Sequence, residues 1–199
     1  MDGELQEEIE FQQAMVYMGS LSMLIIFGLM AIAFKSYWQP FLVLTAVPFG
    51  LMGAIFGHWM LGWQVSMFSI MGVIACAGVV VNDNLVLIDR INNLRDEGMD
   101  LVDALLQGAT DRFRPIILTS VTTFVGLVPI MLETSVQAQF LIPMVVSLSF
   151  GVMFATGVTL VLVPALYLLG DDIGKFLSIV TKRYLCLLYT SDAADDETS

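Results

Sequence analysis

Hydrophobic and polar positions along this chain fall in long blocks rather than at the period of a strand. Apolar runs cover residues 14–34, 41–61, 66–89, 115–133 and 142–169, and every break between them holds a charge, a glycine or a proline. A bilayer core of ~30 Å is crossed by about 20 apolar residues of helix, so the pattern predicts five transmembrane helices and an all-α membrane protein. Most connections are short, but a polar one extends from Arg90 to Arg114. Within it, "MDLVDALLQGATDR" sets Leu101, Val102, Leu105 and Leu106 at helical spacing behind Asp100 as a cap. That predicts a short amphipathic connector helix at about 99–110, lying on the membrane surface.

Small residues recur inside the runs: Gly50, Gly53 and Gly57 in the second, Gly72 and Gly78 in the third, Gly151 and Gly157 in the fifth. Membrane helices use such positions to bring their backbones close, which predicts a compact bundle. Pro48, Pro129 and Pro164 should kink their helices, whereas Pro115 suits the first turn of the fourth span.

Composition agrees with the pattern. Of 199 residues, 57% are hydrophobic and only 14% charged, against about 25% in soluble domains; mean hydropathy is +0.83. The net charge of -11 does not indicate a soluble acidic protein, because five acids lie in residues 2–10 and four in 192–197. Cys76 and Cys186 form no disulfide framework. Acids rather than bases precede the first run, so it reads as a true span and not a signal peptide. No phosphate loop, nucleophile elbow or metal-ligand cluster is present, no cofactor is implied, and nucleic-acid binding has no support. The 13 methionines are scattered through the spans, as core packing requires.

All eight basic residues fall on one side of the predicted membrane: Lys35, then Arg90, Arg95, Arg112 and Arg114, then Lys175, Lys182 and Arg183. Basic residues near span ends stay cytoplasmic, which places the N-terminus outside and the C-terminus in the cytoplasm. His58 falls at the opposite end with Trp59 and Trp63, where a solvated histidine without a proton or metal role is expected.

One polar constellation interrupts the apolar pattern. In "GVVVNDNLVLIDR" the run Asn82-Asp83-Asn84 precedes four apolar residues, and Asp83 lies ~9 Å inside the level of Asp89 and Arg90, within the hydrocarbon. A carboxylate there costs about 2.5–3.5 kcal/mol unless a partner, a water-filled cavity or protonation relieves it, and each of these also serves proton transport. Asp89 beside Arg90 reads as an interfacial ion pair. On the fourth span Arg112 and Thr119, seven residues apart, share a helical face that Thr122 and Thr123 extend inward. These groups form a candidate hydrogen-bonded proton relay: Asp83, Asn82, Arg112 and Thr119, with Asn84, Thr122 and Thr123 around them. The threonines could equally bond back to their own helix, and Arg114 is explained by topology alone.

"FKSYWQPFLVLTAVPFGLMGAIFGH", "GVVVNDNLVLIDRIN", "RFRPIILTSVTTFVGLVPIMLE" and "QAQFLIPMVVSLSFGVMFAT" occur in an order that resembles the C-terminal membrane half of resistance-nodulation-division efflux permeases, hydrophobe/amphiphile exporter type. The resemblance implies part of a proton-driven antiporter of a Gram-negative inner membrane, active in multidrug resistance. Such permeases are twelve-span homotrimers working with a periplasmic adaptor and an outer-membrane channel. Residues 1–13 would close a periplasmic portion, residues 14–177 would supply five spans of the bundle, and the N-terminal half of the same permease would be their partner. By resemblance Arg112 and Thr119 match the relay arginine and threonine, and Asn82 stands where several members hold a relay lysine.

Residues 178–199 read as a cytoplasmic tail, of which "CLLYTSDAADDETS" resembles a translated sequencing adapter, so an artefact is expected from about Cys186. Alternatives to an exporter are a scaffold or protein-export partner of the same superfamily and a non-functional truncated gene product. An intramembrane hydrolase would need a second deep carboxylate, and Asp89 and Glu133 fall at span ends.

Overall fold

The computed structural model describes the backbone of residues 2–196 and the side chains of residues 6, 7 and 9–171. Six helices follow one another: α1 (Asp2–Phe34), α2 (Trp38–Leu44), α3 (Val47–Leu61), α4 (Met67–Asp96), α5 (Leu101–Met131) and α6 (Val136–Asp196). Five stretches are long and apolar enough to cross a bilayer: Ile9–Phe34, Trp38–Leu61, Met67–Asp96, Leu101–Met131 and Val136–Asp171. The chain is therefore the all-α membrane protein that the hydropathy blocks predict, and no strand occurs among the described residues.

Proline explains the one interrupted span. Pro48 occupies the second position of α3 and has no N–H to continue the upstream helix, so the second span is a break at Thr45 and Ala46 rather than a kink. Thr45 Oγ1 closes the break by donating to the Leu42 carbonyl at 2.6 Å. At the other end of α3, Gly62 adopts φ 71°, which a side chain would strain, and Trp63 N–H donates to the His58 carbonyl at 3.1 Å.

The fourth span departs from expectation. The connector helix and the span are one continuous helix, α5, and Pro115 lies inside it rather than in its first turn. Nothing in "GATDRF" breaks a helix strongly enough to separate them. Asp100 stands at the N-cap but its side chain makes no capping bond; the first turn closes through Ala104 N–H and the Asp100 carbonyl at 2.8 Å. Likewise α5 continues through Pro129 and α6 through Pro143 and Pro164. Residues 197–199, and the side chains of the adapter-like tail, lie outside the described residues.

α6 is the axis of the bundle, packing on α3, α4 and α5, whereas α1 touches only α2 and α4 among the closer helix pairs. A seam of glycines makes this possible. A Cβ on Gly53 would stand 2.6 Å from the Phe150 carbonyl oxygen, one on Gly57 2.6 Å from the Phe150 ring, and one on Gly151 2.7 Å from Cys76 Sγ. A Cβ on Gly72 would collide with the Met144 carbonyl. Gly78 and Gly157 have nothing within 4 Å and take no part, contrary to the sequence expectation. Each lies six residues beyond a seam glycine, about 120° around its helix. Ala46, Cys76, Val80, Val152 and Ala155 fill the seam, and Leu42, Leu87, Ile88, Ile91 and Val163 form the larger core beside it.

Candidate functional site

The Asn82-Asp83-Asn84 run lies in mid-α4, where three successive side chains must point three ways around a helix. Asn82 is exposed, Asp83 half-buried and Asn84 buried at 2% exposure. Asp83 Oδ2 and Asn84 Nδ2 are enclosed without a hydrogen-bond partner, and so is Nε of the half-buried Arg112 on α5. The two ion pairs among the described residues are Arg90–Asp111 at 2.8 Å and Arg95–Asp171 at 3.9 Å, so Asp83 and Arg112 are not joined. An enclosed carboxylate oxygen and an enclosed guanidinium nitrogen without partners are costly; the carboxylate is chemically competent to gain and lose a proton, while the guanidinium stays charged and can only offer a cation and hydrogen-bond donors.

The threonine stripe takes the second of the two courses open to it. Thr119 is exposed, its hydroxyl within reach of the Pro115 and Ile116 carbonyls at 3.1 and 2.9 Å. Thr122, also exposed, bonds to the Leu118 and Thr119 carbonyls at 2.7 and 3.0 Å. Thr123 is half-buried. Ser120 instead carries the inward polarity of α5: it is buried and meets Thr156 Oγ1 of α6 at 2.8 Å. Ser120 sits inside the polar run and was visible there, but only the partner helix shows which hydroxyl turns inward.

Three further arrangements correct or extend the sequence reading. Arg90 pairs with Asp111 across to α5 through Nε at 3.0 Å and a terminal nitrogen at 2.8 Å, while Asp89 accepts from Asn93 at 3.3 Å; the adjacent Asp89–Arg90 pair is not formed. Neighbouring residues on a helix do not face each other, and the α4–α5 crossing supplies the better carboxylate. Gln39, Asn92 and Tyr167 join α2, α4 and α6: the two amides exchange bonds at 2.9 and 3.0 Å, and the tyrosine hydroxyl donates to Asn92 Oδ1 at 3.0 Å. His58 is not solvated. It is 3% exposed, with Nδ1 2.9 Å from the Ala54 carbonyl and Nε2 2.8 Å from Ser69 Oγ.

Charged and amide groups enclosed within a multi-span helical bundle are a feature of membrane transporters. The chain belongs to the AcrB/AcrD/AcrF family of resistance-nodulation-division efflux permeases, whose family model matches residues 1–171. It is 34% identical over 150 residues to the cobalt-zinc-cadmium resistance protein CzcA of Cupriavidus metallidurans, covering 75% of this chain and 14% of that protein. Over 144 residues it is 31% identical to the swarming motility protein SwrC of Bacillus subtilis, 72% of this chain and 14% of that one. A solved heavy metal efflux pump superposes with a TM-score of 0.73 at 30% identity, over 85% of this chain and 17% of the pump. The chain thus spans about 14% of the length of the curated relatives just described.

Proposed function

We propose that this chain is the proton-coupling membrane portion of an inner-membrane efflux permease, with Asp83 as the group that gains and loses the proton. The observation that carries this reading is the enclosed, unpartnered Asp83 Oδ2 in the middle of a membrane-spanning helix of an efflux-permease family member. Arg112 is the cation that answers its charge state, Asn84 and Asn82 are the flanking amides, and Thr119, Thr122 and Thr123 line the face toward the remainder of the permease. Protonation cancels the charge on Asp83 and with it the pull on Arg112, which shifts the helices that carry them; export follows from that movement. The assembly is a homotrimer with a periplasmic adaptor and an outer-membrane channel, the N-terminus periplasmic and the C-terminus cytoplasmic.

Two cargo classes have support. The sequence resemblance favours amphiphilic compounds. The names of CzcA and of the solved heavy metal efflux pump favour divalent cations. Expressing the permease that contains this sequence in a host stripped of its own pumps, and following a lipophilic dye and zinc or cobalt in parallel, separates the two. The Asp83→Asn variant should reach the membrane in normal amount yet export neither cargo and move no protons. Undiminished export by that variant would overturn the assignment of Asp83.

A further inference from the structure

At the end of the bundle that carries the lysines and arginines, α1, α2, α4 and α6 border an open cavity of about 560 Å³, a size that ligand pockets commonly have. Its amide and phenol groups are locked together. Gln39 and Asn92 exchange amide bonds, Gln39 also donates to the Tyr167 hydroxyl at 3.1 Å, and that hydroxyl closes the triangle on Asn92 Oδ1. This leaves one N–H of Asn92 and one lone pair of Gln39 unused. Around the triangle stand two cations, Lys35 and Arg95, and two carboxylates, Asp89 and Asp96. Among the described residues the side chains of Lys35 and Asp96 make no hydrogen bond or ion pair. Asp89 accepts one long bond from Asn93, and Arg95 meets Asp171 loosely at 3.9 Å. Lys35 alone among the described non-glycine residues holds a left-handed backbone, φ 50°, where glycine would sit without strain; a lysine kept there points to a use for its ammonium.

We propose that this cavity binds the phosphoethanolamine headgroup of a membrane lipid, its phosphate on Lys35 and Arg95 and its ammonium on Asp96 and Asp89. Both signs of charge are present in equal number, so a zwitterion answers all four groups. An anionic headgroup would leave the two carboxylates without a cation, and a choline headgroup has no N–H to donate to them. The depth is that of a headgroup. Lys35 directly follows the membrane stretch Ile9–Phe34, and the exposed Tyr37 and Trp38 beside it are the residue types that settle at the membrane–water interface. The lining turns apolar at Ala33 and Phe34, and α1 continues inward with Leu29 and Ile32 exposed, which gives acyl chains a surface to lie on. That continuity favours a lipid over a free phosphoethanolamine compound, and basic pockets between membrane helices are established headgroup sites. Asn92 stands about two and a half helical turns from Asp83, on the opposite side of α4, so the site does not rest on proton coupling.

Native mass spectrometry of the delipidated permease that contains this sequence, offered phosphatidylethanolamine, phosphatidylcholine and phosphatidylglycerol with the same acyl chains, reads the site directly. Phosphatidylethanolamine should be retained about tenfold better than either competitor, the difference that one charge-assisted hydrogen bond makes. Lys35→Gly, which relaxes the backbone while removing the ammonium, should bind about one phosphatidylethanolamine fewer per subunit, and Lys35→Arg should bind as the parent does. Asp96→Asn should also lose phosphatidylethanolamine yet hold phosphatidylglycerol at least as well as the parent, a change of preference that mere loosening of the fold would not produce. Equal retention of the three lipids, or a Lys35→Gly variant that keeps its full complement of phosphatidylethanolamine, would overturn the proposal. Displacement of the lipid by an equal concentration of soluble phosphoethanolamine would overturn the assignment to a lipid.

Discussion

Two faces of the same helix, α4, are built on opposite principles. Toward α3 and α6 it presents Gly72, Ser69 and Cys76, small groups that let three backbones meet, and the buried imidazole of His58 on α3 finds both of its partners. Its other face carries Arg90, which reaches Asp111 of α5, and Asp83, seven residues earlier on the same side of the helix, and of these only Arg90 is paired. The membrane stretches containing α3, α4 and α6 are 44%, 39% and 33% buried within the chain, against 11% for α5 and 6% for α1. The glycine seam brings the backbones of α3, α4 and α6 into contact, though Ser147 Oγ beside Gly72 is buried there without a partner. The polar face keeps enclosed groups unsatisfied at about 1–3 kcal/mol apiece, the cost that the proposed proton coupling accounts for.

The sharpest way to break that contrast is to remove one guanidinium at a time. Arg112 has an enclosed Nε while Arg114, two residues on, is exposed. Arg112→Ala should lower export by about tenfold or more, because the cation proposed to answer the charge of Asp83 is removed. Arg114→Ala should export within about twofold of the parent, since exposed charges contribute under ~1 kcal/mol. Dye and metal accumulation in the pump-deficient host measures both, and equal losses would place the function of the face in its net charge instead of in Arg112.

On the seam the effect is read as stability. Gly53→Ala puts a methyl 2.5 Å from Phe154 Cβ and 2.6 Å from a backbone oxygen that cannot step aside, and Gly72→Ala meets the Met144 carbonyl. Each should cost about 1–3 kcal/mol as overpacking does. Gly78→Ala, with open space around it, should be neutral or gain up to about 1 kcal/mol from helix propensity. Unfolding in mixed micelles by titration with a denaturing detergent measures all three, and a Gly72→Ala variant as stable as Gly78→Ala would show that the seam yields.

What was legible in the sequence divides along the same line. Five spans, the all-α class and the seam glycines at 50, 53, 57, 72 and 151 follow from hydropathy and residue size, which are local properties. Gly78 and Gly157 were misplaced because a glycine looks the same on either face of a helix. The Asp83 run announced itself because a carboxylate in hydrocarbon is expensive wherever it points. Partner choice was not legible: that Arg90 reaches Asp111 rather than Asp89, that Ser120 rather than Thr119 turns inward, and that His58 meets Ser69 all depend on how two helices cross. The continuity of α5 through Pro115 was missed for a related reason, since proline lowers helix propensity without specifying where a helix ends.

Ser120 and Thr156 give a smaller effect. Ser120→Ala removes the partner of the buried Thr156 hydroxyl and should cost about 1–2 kcal/mol, whereas Thr156→Val leaves Ser120 Oγ bonded to the Ile116 carbonyl at 3.0 Å and should cost less; the double variant should cost less than the sum of the two. The same detergent titration applied to the four members of that cycle measures the coupling. Additive losses would mean that the two hydroxyls do not interact and that α5 is held to α6 by packing alone.

The weakest expected effect belongs to the ion pair that joins α4 to α5 beside the polar face. Arg90 and Asp111 meet at 2.8 Å, but their side chains are 30% and 38% exposed, so solvent competes for both. Asp111→Asn should therefore cost about 0.2–1 kcal/mol, and less as salt rises and screens the pair. Asp89→Asn should change stability less still, because Asp89 accepts one long bond from Asn93 and pairs with no cation. If Asp89→Asn proved the more damaging of the two, the charge of Arg90 would be answered along α4 and not across to α5. The α4–α5 contact would then lose its one close charged tie, and the polar face would be freer to open than the seam behind it.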